Sequence, residues 1–133
     1  MSMAKRAFGE TADGTPVDLY ILKNRHGMET SITNYGGTVV SLLVPDWQGK
    51  FEDVVLGFET LPGYLEKSPY FGSIIGRYGN RVAGGKFMLN GVAYTLAQNG
   101  GDNHLHGGLK GVDKVVWNAI ELPGEQNPGL ELT

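Results

Sequence analysis

The sequence predicts an all-β protein, built as an antiparallel sandwich or barrel. Three observations carry this. Apolar runs of about four to eight residues recur between turns rich in Gly, Pro and Asp. Asn90-Gly91 stands between two strand-like runs. That pair reads as a type I′ hairpin turn, because both central residues must take φ > 0. No window of 12 residues holds a helical apolar stripe.

The elements follow in order. Asp13-Gly14 precedes a strand at Val17–Ile21, where Val17, Leu19 and Ile21 alternate with more polar partners. Gly27 opens a second strand, Met28–Thr33, which Tyr35-Gly36-Gly37 ends. Thr38–Val44 is β-branched and apolar until Pro45-Asp46 stops it, and Asp53–Phe58 repeats the theme. Leu61–Lys67 suits one helical turn at most. Lys86–Leu89 and Val92–Leu96 flank the Asn-Gly turn, and Val115–Ile120 reads as a further strand. Leu122–Gly129 reads as a hairpin loop, because Leu130–Thr133 resumes alternation. The chain stops within that strand, so the expectation is that 133 residues are not the whole functional unit.

Composition removes several function classes. The chain has no Cys, which excludes a disulfide framework, a thiolate metal site and a Cys nucleophile. Eleven Lys and Arg against 14 Asp and Glu give a net charge of −3, against a nucleic-acid binder, which needs a basic face. The N-terminus has two basic residues but no apolar stretch after them, unlike a secretory signal. Nowhere do about 18 apolar residues run together, so no membrane helix is expected and the expected location is cytoplasmic. The 21 glycines are about twice average usage and lack a G-X-Y period, so they belong to turns, bulges and close backbone approaches.

Two clusters could carry chemistry. Gly76-Arg77-Tyr78-Gly79-Asn80-Arg81-Val82-Ala83-Gly84-Gly85-Lys86 is a Gly-rich basic stretch. It fits neither the P-loop nor the dinucleotide fingerprint, since a strand follows it. Composition alone favours a loop whose arginines are solvated or bond backbone carbonyls. The second cluster is Asn99-Gly100-Gly101-Asp102-Asn103-His104-Leu105-His106-Gly107-Gly108. In a strand His104 and His106 would share a face, half of a metal site. The carboxylate such a site needs is missing, because Leu109, Lys110 and Gly111 follow, and His26 sits in a turn. A metal is therefore not expected. No serine sits in a Gly-x-Ser-x-Gly elbow. Asn, Arg and neutral His together offer donors and acceptors that suit a polyhydroxylated ligand such as a sugar. Tyr70, Phe71, Tyr78, Tyr94 and Trp117 could stack on a sugar face, although core packing is the commoner use of aromatics.

At these residues the chain resembles the aldose 1-epimerase (galactose mutarotase) family. The matching run is Gly76–Ala83, Gly85-Lys86-Phe87, Leu89-Asn90-Gly91 and Tyr94, then Asn103, Leu105-His106-Gly107-Gly108, Gly111 and Trp117. Ile32–Gly37, Val44-Pro45-Asp46 and Asp53–Phe58 also look like that family's opening strands. The resemblance implies an antiparallel β-sandwich of the supersandwich type, with residues 1–133 as the N-terminal portion of a single domain. It implies interconversion of the α and β anomers of free aldoses such as galactose or glucose, without a cofactor. A base removes the anomeric hydroxyl proton while an acid protonates the ring oxygen.

Carried over by the resemblance, Asn80, Arg81 and His106 bind the sugar, and His106 assists catalysis near the ring oxygen. Arg77 is assigned to structure and His104 is taken as incidental. The family's acid His, a sugar-binding Asp and the base Glu fall beyond residue 133. Glu121, Glu125 and Glu131 stand in the wrong context for the base. The expectation is thus part of a sugar-binding wall, inactive alone. The alternative is a non-catalytic carbohydrate-binding or assembly module. Expected partners are a free monosaccharide and either a second copy or a second polypeptide that completes the sandwich.

Overall fold

The computed structural model describes residues 2–66, 69–124 and 127–133. The chain divides into two compact units, Met1–Ser73 with Val116–Thr133, and Ile74–Val115. Every paired strand among the described residues is antiparallel, as the sequence predicts.

The first unit is a five-stranded meander. Its strands β1 (Ser2–Glu10), β2 (Pro16–Lys23), β3 (Glu29–Thr33), β4 (Thr38–Pro45) and β5 (Phe51–Asp53) lie in sequence order. In β2, Val17 and Leu19 are buried on one face, but so are Tyr20 and Leu22 on the other. Ile21 is only half-buried. The expected alternation is therefore blurred, as in interior strands covered on both sides. Tyr20 is covered by Lys5, whose Nζ lies 5.6 Å from its ring centroid and 2.7 Å from Asp18.

The short helix α1 (Leu61–Glu66) places Leu61 and Tyr64, three residues apart, on one face. Both join Val17 and Tyr35 in the core, against Phe8, Val40, Phe58 and Val116. The helical turn expected over Leu61–Lys67 is present up to Glu66, and Lys67 lies outside the described residues. Tyr64 Oη accepts the Phe58 N–H at 2.9 Å, and the two rings meet edge-on at 5.3 Å.

Burial pushes the Tyr64 phenol above the ordinary tyrosine value. The folded state thus favours the neutral phenol, while in the unfolded chain it ionises near about pH 10. Its contribution to stability is complete below that pH and is lost as pH rises through the higher folded value. Denaturant titrations of wild type and Tyr64→Phe should therefore converge above about pH 10, whereas parallel curves would refute the assignment.

Two expected strands do not form over the residues the pattern suggested. Of the expected strand Asp53–Phe58 only Asp53 is in a ladder, as the last residue of β5, and residues 54–58 are irregular. The Asp53 carboxylate explains the stop, because it accepts the N–H groups of Leu42 (2.9 Å) and Val55 (3.0 Å) and so replaces the ladder. Val115–Ile120 is not one strand either. Val116 makes an isolated bridge to Tyr35, and Trp117 N–H bonds the Asn34 carbonyl at 2.9 Å. Only from Ala119 does a ladder form, with β10 (Ala119–Leu122) against β11 (Gly129–Leu132). The expected hairpin loop joins them, with Glu125 and Gln126 outside the described residues.

The second unit holds β6 (Arg81–Val82), β7 (Lys86–Leu89), β8 (Val92–Thr95) and β9 (His104–Leu105). β7 and β8 form the expected hairpin, with Asn90 at φ 51° and Gly91 at φ 78°. Phe87 and Tyr94 are directly opposed across it, their rings stacked at 5.0 Å. β6 pairs with β9, and this small ladder positions the candidate site.

Candidate functional site

Two residues of ladder bring the site together. Arg81 pairs with Leu105 and Val82 with His104. The residue before β6 is therefore set beside the residue after β9, and these are Asn80 and His106. Their backbones lock: the His106 N–H donates to the Asn80 carbonyl at 2.9 Å. The Asn80 N–H in turn donates to His106 Nδ1 at 3.0 Å. Arg81 Nη1 donates to Asn80 Oδ1 at 3.0 Å. The structure thus gathers Asn80, Arg81 and His106 into one group.

Both Asn80 (φ 62°) and His106 (φ 50°) occupy the left-handed region. Asn adopts it readily, whereas a ring-bearing residue there costs roughly 1–3 kcal/mol and persists where the surroundings over-determine it. Here they do. Gly107 and Gly108 follow at φ 92° and 94° and turn the chain sharply away. Asn99 clips the preceding residue like a strand partner, its Oδ1 accepting the Leu105 N–H at 2.8 Å and its Nδ2 donating to the Leu105 carbonyl at 2.9 Å. Asn99→Ala should cost about 1–3 kcal/mol in urea denaturation and speed hydrogen exchange at the Leu105 amide, because two part-buried groups lose their partner.

The hydrogen bond to His106 decides its chemistry. A backbone N–H can only donate, so Nδ1 is unprotonated and the ring proton sits on Nε2. His106 therefore presents an N–H donor at its distal nitrogen.

His104 is different. It lies inside β9, is buried, and has Nδ1 2.9 Å from the Ala97 carbonyl oxygen. The expectation that His104 and His106 share a strand face does not hold, because His106 falls outside the strand in a left-handed conformation. Among the described residues no group of three or more His, Asp or Glu side chains is placed to hold a metal ion.

A cavity of about 880 Å³ opens in this unit. Arg77, Arg81, Lys110 and His104 supply polar groups to its wall, and Tyr78 and Phe87 supply aromatic ones. Asn80 and His106 are not part of that lining. Residues 74–115 carry five Lys and Arg against two Asp, so the cavity lies in the basic part of an acidic chain. Arg77, assigned to structure by the sequence reading, stands on the cavity wall. Tyr94 is held by its stack on Phe87. Phe71 lies in the first unit, 6.4 Å from Phe58, as do Tyr70 and Trp117. His104, Asn99 and Lys110 were given no role from sequence.

The sequence model of a family described as aldose 1-epimerase matches residues 18–133. Galactose mutarotase of Bos taurus is 46% identical over 118 residues, which cover 88% of this chain and 34% of the bovine protein. Aldose 1-epimerase of Escherichia coli (strain K12) is 34% identical over 114 residues, or 86% of this chain and 33% of that one. Among solved structures, a galactose 1-epimerase from Lactobacillus acidophilus superposes with a TM-score of 0.83 at 27% identity, covering 98% of this chain and 37% of that chain. The chain thus spans about a third of the length of the curated relatives it matches.

Proposed function

The chain belongs to the aldose 1-epimerase family, and from that membership we propose that it contributes part of a sugar-binding site for interconverting the anomers of a free aldose. In this reading Arg81 donates from its fixed fork to sugar hydroxyl oxygens. His106 donates its Nε2–H to the ring oxygen, and the Asn80 amide holds the Arg81 guanidinium in place. Mutarotation needs a proton taken from the anomeric hydroxyl and one given to the ring oxygen, after which the ring opens, the aldehyde carbon turns and the ring recloses. A donor at the ring oxygen polarises the bond that breaks. In this reading the principal acid and base are supplied by other polypeptide. Galactose and glucose are the first substrates to try.

The observation that carries the reading is the bond from the Asn80 N–H to His106 Nδ1, which fixes the donor tautomer. The β7–β8 hairpin favours one addition. Met88, Leu89 and Val92 are each more than half exposed, an apolar surface of the kind that partners cover. A second polypeptide would complete the sandwich on that surface.

The test is anomer exchange of freshly dissolved α-galactose, followed by polarimetry or NMR. The chain alone should leave the spontaneous rate unchanged while binding the sugar. Acceleration by the chain alone would contradict the assignment of the acid–base pair to other polypeptide. Absence of binding would contradict the sugar-site reading itself.

A further inference from the structure

The role given to Asn80, Arg81 and His106 leaves the His104 ring on the cavity wall unused. His104 is only 7% exposed, yet its ring lines the cavity. Nδ1 lies 2.9 Å from the Ala97 carbonyl oxygen. A carbonyl can only accept, so Nδ1 carries the ring proton and donates it. In the neutral ring, Nε2 is then an acceptor. Nothing among the described residues donates to it. Gly108 packs against the same ring: a Cβ there would come within 2.9 Å of His104 Cε1, so the absence of a side chain lets the ring sit where it does.

Of the other polar side chains on the wall, Arg77, Arg81 and Lys110 are donors only, whereas the Tyr78 phenol can donate or accept. The cavity therefore combines several donors with two side-chain acceptors, the Tyr78 phenol, which rotates, and His104 Nε2, whose direction is fixed. An acceptor on a cavity wall that no protein group donates to is open to a donor from a ligand. A hydroxyl group supplies one, and its own oxygen can accept from a neighbouring cation at the same time. The two histidines, two residues apart, thus present opposite distal nitrogens. His106 has an N–H fixed by a backbone donor, and His104 has a lone pair fixed by a backbone acceptor.

We propose that His104 is a second sugar-contacting residue, whose Nε2 accepts a hydrogen bond from a hydroxyl group of an aldose bound in the cavity. This rests on the reading that the chain binds an aldose. The Ala97 carbonyl orients the ring and fixes its tautomer, so the residue selects for a hydroxyl donor at one position of the sugar.

The test uses the 133-residue chain labelled with ¹⁵N. Imidazole spectra should show His104 protonated at Nδ1 and His106 at Nε2. Saturation with galactose should move the His104 Nε2 resonance in the direction of a hydrogen-bonded acceptor. His104→Asn keeps a donor for the Ala97 carbonyl and removes the distal acceptor, so galactose affinity should fall about five- to tenfold with the melting temperature unchanged. One monodeoxygalactose, lacking the contacted hydroxyl, should bind wild type and His104→Asn alike. If wild type binds galactose while the Nε2 resonance stays still and His104→Asn keeps wild-type affinity, the inference is overturned and the sugar-site reading stands. A His104 ring protonated at Nε2 overturns it in the same way. If wild type binds no aldose, the sugar-site reading fails and takes this inference with it. The Nε2 resonance is read on the wild-type chain, so a variant that does not fold leaves the test in force.

Discussion

Gly107→Ala should remove most of the stability of the site-bearing unit. A Cβ at this position would stand 1.9 Å from the Gly76 carbonyl oxygen, a rigid backbone atom. The residue also sits at φ 92°, which side chains avoid. Steric overlap and backbone strain together should cost about 4 kcal/mol. The loss should be visible as a fall in urea midpoint and as exchange of the amides of residues 74–115, with Leu19 and Leu22 in β2 less affected. A change below about 1 kcal/mol would mean that the Gly76–Gly107 approach is not needed to hold His106.

Arg81→Ala should have the largest effect on ligand binding. The guanidinium is exposed, makes one side-chain bond to Asn80 Oδ1 and has no carboxylate partner among the described residues. Its removal should therefore change stability little. Hydrogen bonds from a charged donor contribute about 1.5–3 kcal/mol, so galactose affinity should fall by roughly 10- to 150-fold. Arg81→Lys should recover only part of that, since an ammonium keeps the charge but lacks the planar fork. Calorimetric titration of the three chains would show this ordering. Equal affinities would take Arg81 out of the site.

The parts of the fold that were legible in sequence share one property, which is that local chemistry determines them. Asn90-Gly91 requires positive φ and forms its hairpin whatever surrounds it. Leu61 and Tyr64 need only one helical turn to face the same core. Strand β1 was not legible. Ser2–Glu10 is mostly exposed at an edge, and Lys5 and Arg6 interrupt any apolar alternation. It is a strand because β2 beside it offers a ladder from Lys23 to Pro16. The strand expected over Asp53–Phe58 does not form because an aspartate side chain, rather than a turn residue, ends the ladder at Asp53.

The site divides in the same way. Asn80, Arg81 and His106 were marked by the paired motifs, and the β6–β9 ladder accounts for their meeting. What sequence could not supply was direction. His104 and His106 are alike as letters, and strand periodicity put them on one face. The left-handed turn at His106 separates them, and two backbone groups, the Asn80 N–H and the Ala97 carbonyl, give them opposite distal nitrogens. Asn99, which clips Leu105, likewise has no signature beyond being an asparagine among glycines.

The most direct measurement of the central claim is a galactose titration of the ¹⁵N-labelled chain, followed residue by residue through its backbone amides. The account predicts saturable shifts that centre on Asn80, Arg81 and His106 and decline away from residues 74–115. Amides of the site that stay unmoved at saturating sugar, or shifts confined to the five-stranded sheet, would contradict it.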